Sequence, residues 1–278
     1  MPKNKIYYLF VIVLMPFFLF ANEINGNKLV EIETFSDYSI VKKGDTFNFF
    51  IKLTPEKDWH TYWLNPGDAG MSPNIEFDLP KGIIAGNPIY ENPIKDEFTG
   101  MVSFIYESEN TLMIPIRVSS DFSKSEINIS GIIKWLVCKE ECLAGSKKFS
   151  YNIKIGQNSI LANNRKSITD KILLNQAIRG KKISTKCTAL DNTLSIEINK
   201  NKLSKDIKKL EFYPYINGYI NYSSEQIFND LGDKYQLILE LDKFRTEIPE
   251  KISGILISNK NILESYPHKS IEINDDLK

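Results

Sequence analysis

Apolar and polar residues alternate along most of this chain with a period of two. That spacing turns one side of an extended strand to a core and the other to water. Phe47, Phe49 and Ile51 interleave with Asn48, Phe50 and Lys52, and residues 112–118 repeat the pattern behind a Glu109-Asn110 turn. Ile127, Ile129 and residues 132–137 make another such run, followed after a short loop by Phe149, Tyr151, Ile153 and Ile155. Short strands separated by turn residues, from Val30 to about Ile155, predict a β-sandwich.

The texture then changes. Residues 158–166 are polar, and Ser167 and Asp170 have the S-x-x-D spacing of a capping box ahead of Ile172, Leu173, Leu174, Ala177 and Ile178. This predicts a short helix stopped by Gly180 and two lysines. Strands return beyond it: Leu194, Ile196 and Ile198 alternate, residues 210–213 are apolar and aromatic, residues 235–241 alternate, and residues 252–257 surround Gly254. Asp191-Asn192 and residues 230–233 read as turns. The expected organisation is all-β: a sandwich over residues 22–157, a linker with a short helix over 158–182, and a smaller β-rich domain over 183–278. The last holds no cluster of reactive side chains and reads as a scaffold or docking module.

The first residues have a different logic. Lys3 and Lys5 precede an apolar run over residues 6–20, then Ala21 and polar Asn22 and Glu23. This is the layout of a secretory signal peptide over residues 1–21, short of the ~20 residues of a comfortable membrane span. Pro16 and Leu19 keep an uncleaved anchor as the alternative. The rest of the chain has no comparable apolar stretch, so the expected product is exported and does not span the membrane after cleavage. Outside the cytosol its cysteines can form disulfides.

Composition acts mainly by exclusion. Lys plus Arg and Asp plus Glu both total 35 among 278 residues, so no basic field is present to hold nucleic acid. Three cysteines and two histidines exclude a disulfide-dense scaffold and any metal site rich in both.

Two of the three cysteines fall close together. Cys138-Lys139-Glu140-Glu141-Cys142 lies between two predicted strands, at a hairpin tip. Three residues in a turn can bring two Cα atoms within the ~4.4–6.8 Å a disulfide needs. Closing so small a loop stabilises the fold less than closing a long one, and exposed disulfides exchange more readily. Lys139 favours a thiolate beside it, while Glu140 and Glu141 oppose one. A structural staple and a redox pair are both open on spacing alone. Cys187 reads as a lone buried thiol, with a third redox partner as the alternative.

The second dense segment holds Trp59, His60, Tyr62 and Trp63 before a loop with Asn65, Pro66, Gly67, Asp68, Gly70, Met71 and Pro73. Aromatics at strand ends usually pack a core. The loop is turn-rich enough to lie over an end of the sandwich instead, covering the cysteines or touching a partner. His60 with Cys138 and Cys142 is the weaker alternative, a copper or zinc site. No organic cofactor is needed for thiol–disulfide exchange.

Residues 59–70, Trp-His-Thr-Tyr-Trp-Leu-Asn-Pro-Gly-Asp-Ala-Gly, taken together with Trp135-Leu-Val-Cys138-Lys-Glu-Glu-Cys142-Leu-Ala-Gly145, resemble the periplasmic N-terminal region of the DsbD family of transmembrane thiol:disulfide interchange proteins. The nearer match is its ScsB-like, copper-sensitivity-suppressor branch. The likeness continues more thinly through Phe212-Tyr213-Pro214, Gln226 and residues 253–257. It implies an immunoglobulin-like region whose Cys138 and Cys142 pass electrons to exported partner proteins, in cytochrome c maturation or copper tolerance. It also implies that Cys142 forms the mixed disulfide, that Cys138 resolves it, and that residues 63–71 shield the pair.

Family members continue into a membrane domain and a thioredoxin-like domain, whereas this sequence ends at Lys278. The partners the resemblance implies are thioredoxin-like periplasmic proteins and a separately encoded membrane electron donor of the DsbD/CcdA type. A protein-disulfide reductase component is the leading reading. A non-enzymatic binding module with a structural disulfide and a copper- or zinc-binding envelope protein are its competitors.

Overall fold

A computed structural model describes residues 25–180, 183–245 and 249–277. The expected signal segment lies outside these residues. Twelve strands precede the helix: β1 (Val30–Ser36), β2 (Tyr38–Lys42), β3 (Thr46–Pro55), β4 (Thr61–Gly67), β5 (Asn74–Asp78), β6 (Ile83–Ala85), β7 (Ile94–Phe98), β8 (Met101–Tyr106), β9 (Asn110–Val118), β10 (Glu126–Cys138), β11 (Cys142–Gly156) and β12 (Ile160–Leu161). The helix is α1 (Lys166–Leu174). Seven strands follow: β13 (Thr185–Leu190), β14 (Thr193–Asn199), β15 (Leu210–Pro214), β16 (Ile227–Asp230), β17 (Lys234–Glu240), β18 (Lys251–Ser258) and β19 (Ser270–Asp276).

Strands before α1 form sheets β1-β3-β9-β6, β12-β2-β11-β10-β5 and β4-β8-β7, and strands after it form β13-β14-β17-β16 and β15-β18-β19. No sheet mixes strands from the two sides of the helix. The chain is all-β and immunoglobulin-like, as the alternation and the resemblance together suggest.

β3 shows how the pattern makes the core. Phe47, Phe49, Ile51 and Leu53 are all 2% exposed or less and meet Ile127, Ile129 and Ile133 of the facing sheet in one cluster. Each such side chain contributes ~1.5–3 kcal/mol on burial. Phe50, on the other face, is also fully buried. It stacks on Phe35 with centroids 4.9 Å apart, and Met113 and Ile172 of α1 close over the pair.

The helix departs from its expected caps. It begins at Lys166, so Ser167 lies inside the first turn, and Arg165 at the N-cap makes no side-chain cap bond. Asp170 pairs instead with Lys166 at 2.7 Å. The helix stops at Leu174 because the backbone beyond it is claimed elsewhere: Gln176 bridges to Glu91 and Ile178 to Ile271. Gly180, at φ +69°, follows that extended stretch rather than ending the helix.

The two sandwiches share one continuous core. At the seam, Trp63 and Phe104 of the first meet Tyr213 of the second at centroid distances of 6.3 and 5.1 Å. Ser270 Oγ also donates to Asn92 Oδ1 at 2.6 Å.

Candidate functional site

The cysteine pair ends a long ladder. Every residue of the 13-residue strand β10 has a register partner on β11, the last being Cys138 opposite Cys142. The tip closes with Lys139 N–H donating to the Glu141 carbonyl at 3.1 Å. The Cα atoms of Cys138 and Cys142 lie 4.2 Å apart and the sulfurs are bonded.

Its two members differ in access. Cys138 is 2% exposed and packs with Tyr62, Ile105 and Leu136. Its N–H donates to the His60 carbonyl (3.0 Å) and its carbonyl accepts from the His60 N–H (2.9 Å). Cys142 is exposed. An incoming thiolate therefore meets Cys142 first.

One polar line reaches the exposed sulfur. Tyr62 Oη lies 4.0 Å from Cys142 Sγ, at the long end for a hydrogen bond to sulfur, and 3.2 Å from His60 Nε2. Burial, helped by the nearby Asp96 carboxylate, pushes the Tyr62 phenol above its ordinary value, so it keeps its proton at neutral pH. Burial also holds the His60 imidazole below its ordinary value, against the pull of Asp96 and Glu107. Lys139 does not face a thiolate alone: its Nζ pairs with Asp58 Oδ2 at 3.3 Å.

The segment of residues 59–71 divides between two faces. Trp59 is partly buried on the main core. His60 and Tyr62 meet the cysteines, whereas Trp63 stacks toward Phe104, Tyr213 and Tyr215, and Asn65 bonds the second sandwich. The alternation of a strand sends these neighbours to opposite sides, so Trp63 and Asn65 do not cover the pair. Asp68 Oδ2 accepts the Val102 N–H at 2.8 Å, and Met71 is 46% exposed. The loop reaches the site through Gly70: at φ +106°, a Cβ there would lie 2.1 Å from the Tyr62 ring. The turn therefore rests on Tyr62, and Tyr62 on Cys142.

Sequence reasoning passed over the β7–β8 hairpin. Ile105 of β8 packs on Tyr62 and Cys138, and the charge of Asp96 on β7 is felt by His60 and Tyr62. The hairpin tip carries Phe98, 71% exposed, and Met101. The available signal was Thr99-Gly100 between two short runs, a hairpin-turn pattern. For the metal alternative, His60 Nε2 faces the Tyr62 hydroxyl, and among the described residues no group of three or more His, Cys, Asp and Glu side chains is placed to hold an ion.

Residues 27–153, the span of the first sandwich, match the model of the family described as thiol:disulfide interchange protein DsbD, N-terminal. The matched span bears the Cys138–Cys142 pair. Domains of this family interact with thioredoxin-like partners. The N-terminal periplasmic domain of ScsB from Proteus mirabilis shares the fold, with a TM-score of 0.62 and 16% identity, over 91% of this chain and 94% of that one. The E. coli chaperone DraB (TM-score 0.23, 9% identity, 89% of this chain and 97% of that one) and the Bacillus cereus major pilin subunit BcpA (0.28, 12%, 89% and 67%) superpose too poorly to bear on the fold. No curated protein matches. Among the described residues no helix is long and apolar enough to cross a membrane.

Proposed function

We propose that this chain is an exported electron relay of the periplasm. It takes two electrons from a membrane electron donor of the DsbD/CcdA type and passes them to the disulfide of a thioredoxin-like partner. Residues 158–182 serve as a linker and residues 183–278 as a second domain. The observation that carries the reading is the asymmetry of the pair: Cys142 exposed, Cys138 buried.

In the reduced chain the Cys142 thiolate attacks one sulfur of the partner disulfide. A mixed disulfide forms and the partner's other sulfur leaves as a thiolate. Cys138, deprotonated, then attacks Cys142 Sγ. This re-forms the Cys138–Cys142 bond and releases the partner's second thiolate, so the partner gains two electrons and the module loses two. Loading by the donor is the reverse sequence. The Tyr62 hydroxyl is placed to donate to the Cys142 sulfur whenever that sulfur carries charge.

Trapping tests the assignment. With an oxidised thioredoxin-like protein as probe, reduced Cys138→Ala should accumulate a mixed disulfide and Cys142→Ala should not. Equal trapping by both variants removes the assigned roles. A reduction potential in the oxidoreductase range of roughly −120 to −270 mV is expected, and one well below about −300 mV indicates a structural staple.

A further inference from the structure

β4 buries side chains on both of its faces, Tyr62 on one and Trp63 and Asn65 on the other. Asn65 is 0% exposed on the side away from the cysteines, and its amide is fully engaged. Nδ2 donates to the Pro214 carbonyl at 2.8 Å and to the Tyr222 hydroxyl at 3.0 Å, and Oδ1 accepts the Gly67 N–H at 3.0 Å. The Tyr222 hydroxyl donates to Asn217 Oδ1 at 3.1 Å and accepts the Gly218 N–H at 3.0 Å. A polar knot from the second sandwich thus ends on the backbone of the turn that follows β4.

The turn passes this constraint on. The Asp68 N–H donates to the Val102 carbonyl and the Asp68 carboxylate accepts the Val102 N–H, both at 2.8 Å. Ser103 Oγ donates to the Ala69 carbonyl at 3.3 Å. One residue later Gly70 lies against the Tyr62 ring, too close for any side chain of its own. Tyr62 has neighbours on three sides: Gly70, His60 and the Ile105–Cys138 patch.

We infer that the second sandwich is a positioning element for the cysteine pair: through Tyr222 and Asn65 it fixes the turn at residues 67–70, and the turn holds Tyr62 over Cys142. Tyr222 and Asn65 are positioning residues that never touch sulfur. The inference deepens the relay reading by assigning the second sandwich a part in it, and it is measurable without any protein partner.

The experiment follows reduction of Cys138–Cys142 by dithiothreitol in the folded mature chain. The variants are Tyr222→Phe, Asn65→Ala and Tyr62→Leu, with the Tyr62→Leu/Tyr222→Phe double variant. Leu194→Ala, a cavity in the other sheet of the second sandwich, controls for general loosening. Tyr222→Phe removes the hydroxyl that joins Asn65 to Asn217 and Gly218; loss of that link should release the ring and speed reduction about fivefold (~1 kcal/mol). That acceleration should vanish in the Tyr62→Leu background, because coupled residues give non-additive effects. Asn65→Ala should act in the same direction, and Leu194→Ala should leave the rate unchanged.

A change below about twofold in both Tyr222→Phe and Asn65→Ala overturns the inference. So does a fully multiplicative double variant, or equal acceleration by Leu194→Ala. If these couplings hold while the chain fails to exchange with a thioredoxin-like protein, the relay reading falls and the positioning role stands. If the chain exchanges but the couplings are absent, the positioning role falls and the relay reading stands.

Discussion

The Tyr62 hydroxyl and the Cys142 sulfur, from segments 80 residues apart in sequence, lie 4.0 Å from each other, and His60 Nε2 backs the same hydroxyl at 3.2 Å. A neutral phenol next to a thiol has its largest effect when the thiol ionises, because a hydrogen bond to a charged acceptor is worth more than one to a neutral acceptor.

Tyr62→Phe removes that donor and keeps the ring. In the reduced protein, the Cys142 thiol pKa should rise by about half a unit to one unit. Thiolate absorbance followed against pH, in a Cys138→Ala background, gives the value directly. An unmoved titration curve would show that the hydroxyl does not serve the sulfur.

His60 imposes a sign on the pH dependence of stability. Its folded value lies below the ordinary 6.5, chiefly through burial. As pH falls through about 6.5 the unfolded chain binds a proton that the folded chain refuses, so stability declines until the lower folded value is passed. His60→Gln should flatten this decline by up to ~1.4 kcal/mol per pH unit, measured by urea unfolding between about pH 7.5 and 5.5. Asp37 and Glu91, held above ordinary carboxylate values by burial, work oppositely: they lose stability as pH rises through their window. They are present in both proteins and cancel in the difference. Equal slopes would sink the prediction.

Gly70→Ala places a methyl group into the Tyr62 ring at a backbone angle that disfavours it. A stability loss of about 1–3 kcal/mol is expected, together with faster reduction of the pair. Met71→Ala, at an exposed position, should change stability by less than ~0.5 kcal/mol. Thermal melting and dithiothreitol kinetics on both variants separate the turn's backbone role from any contribution of Met71.

Cys187 is 1% exposed, and burial, aided by Asp275, pushes its thiol up to about 12. It is the free cysteine of the structure. Iodoacetamide near neutral pH should label Cys142 of the reduced folded chain and leave Cys187 untouched until unfolding. Rapid native labelling of Cys187 would contradict its burial.

The sandwiches and the cysteine hairpin were legible because period-two alternation and a C-x3-C turn are local signals. Features set by partners distant in sequence were not. Phe50 looks outward-facing by alternation, yet Ile172 of α1, more than a hundred residues later, covers it. Leu174 ends the helix only because Glu91 and Ile271 take up the backbone beyond. In β4, Thr61, Tyr62, Trp63 and Asn65 are all buried, so no change of polarity reveals that consecutive residues serve different surfaces. The β7–β8 hairpin escaped notice because its first strand carries no apolar stripe: Ile94 and Phe98 are exposed around a charged Lys95-Asp96-Glu97 stretch.

The unbroken β10–β11 ladder has a consequence for how the pair is recognised. Its strands are in register along the whole of β10, and the disulfide joins residues that the ladder already sets opposite each other. Cutting that bond removes one link at the end of a frame held by its own ladder, so the two oxidation states are expected to keep a common silhouette. A visitor cannot tell a charged module from a spent one by outline, and discrimination falls to the sulfur chemistry itself. In the relay proposed above, such a frame is a fixed contact rather than a switch, with the direction of current set by the reduction potentials of its partners.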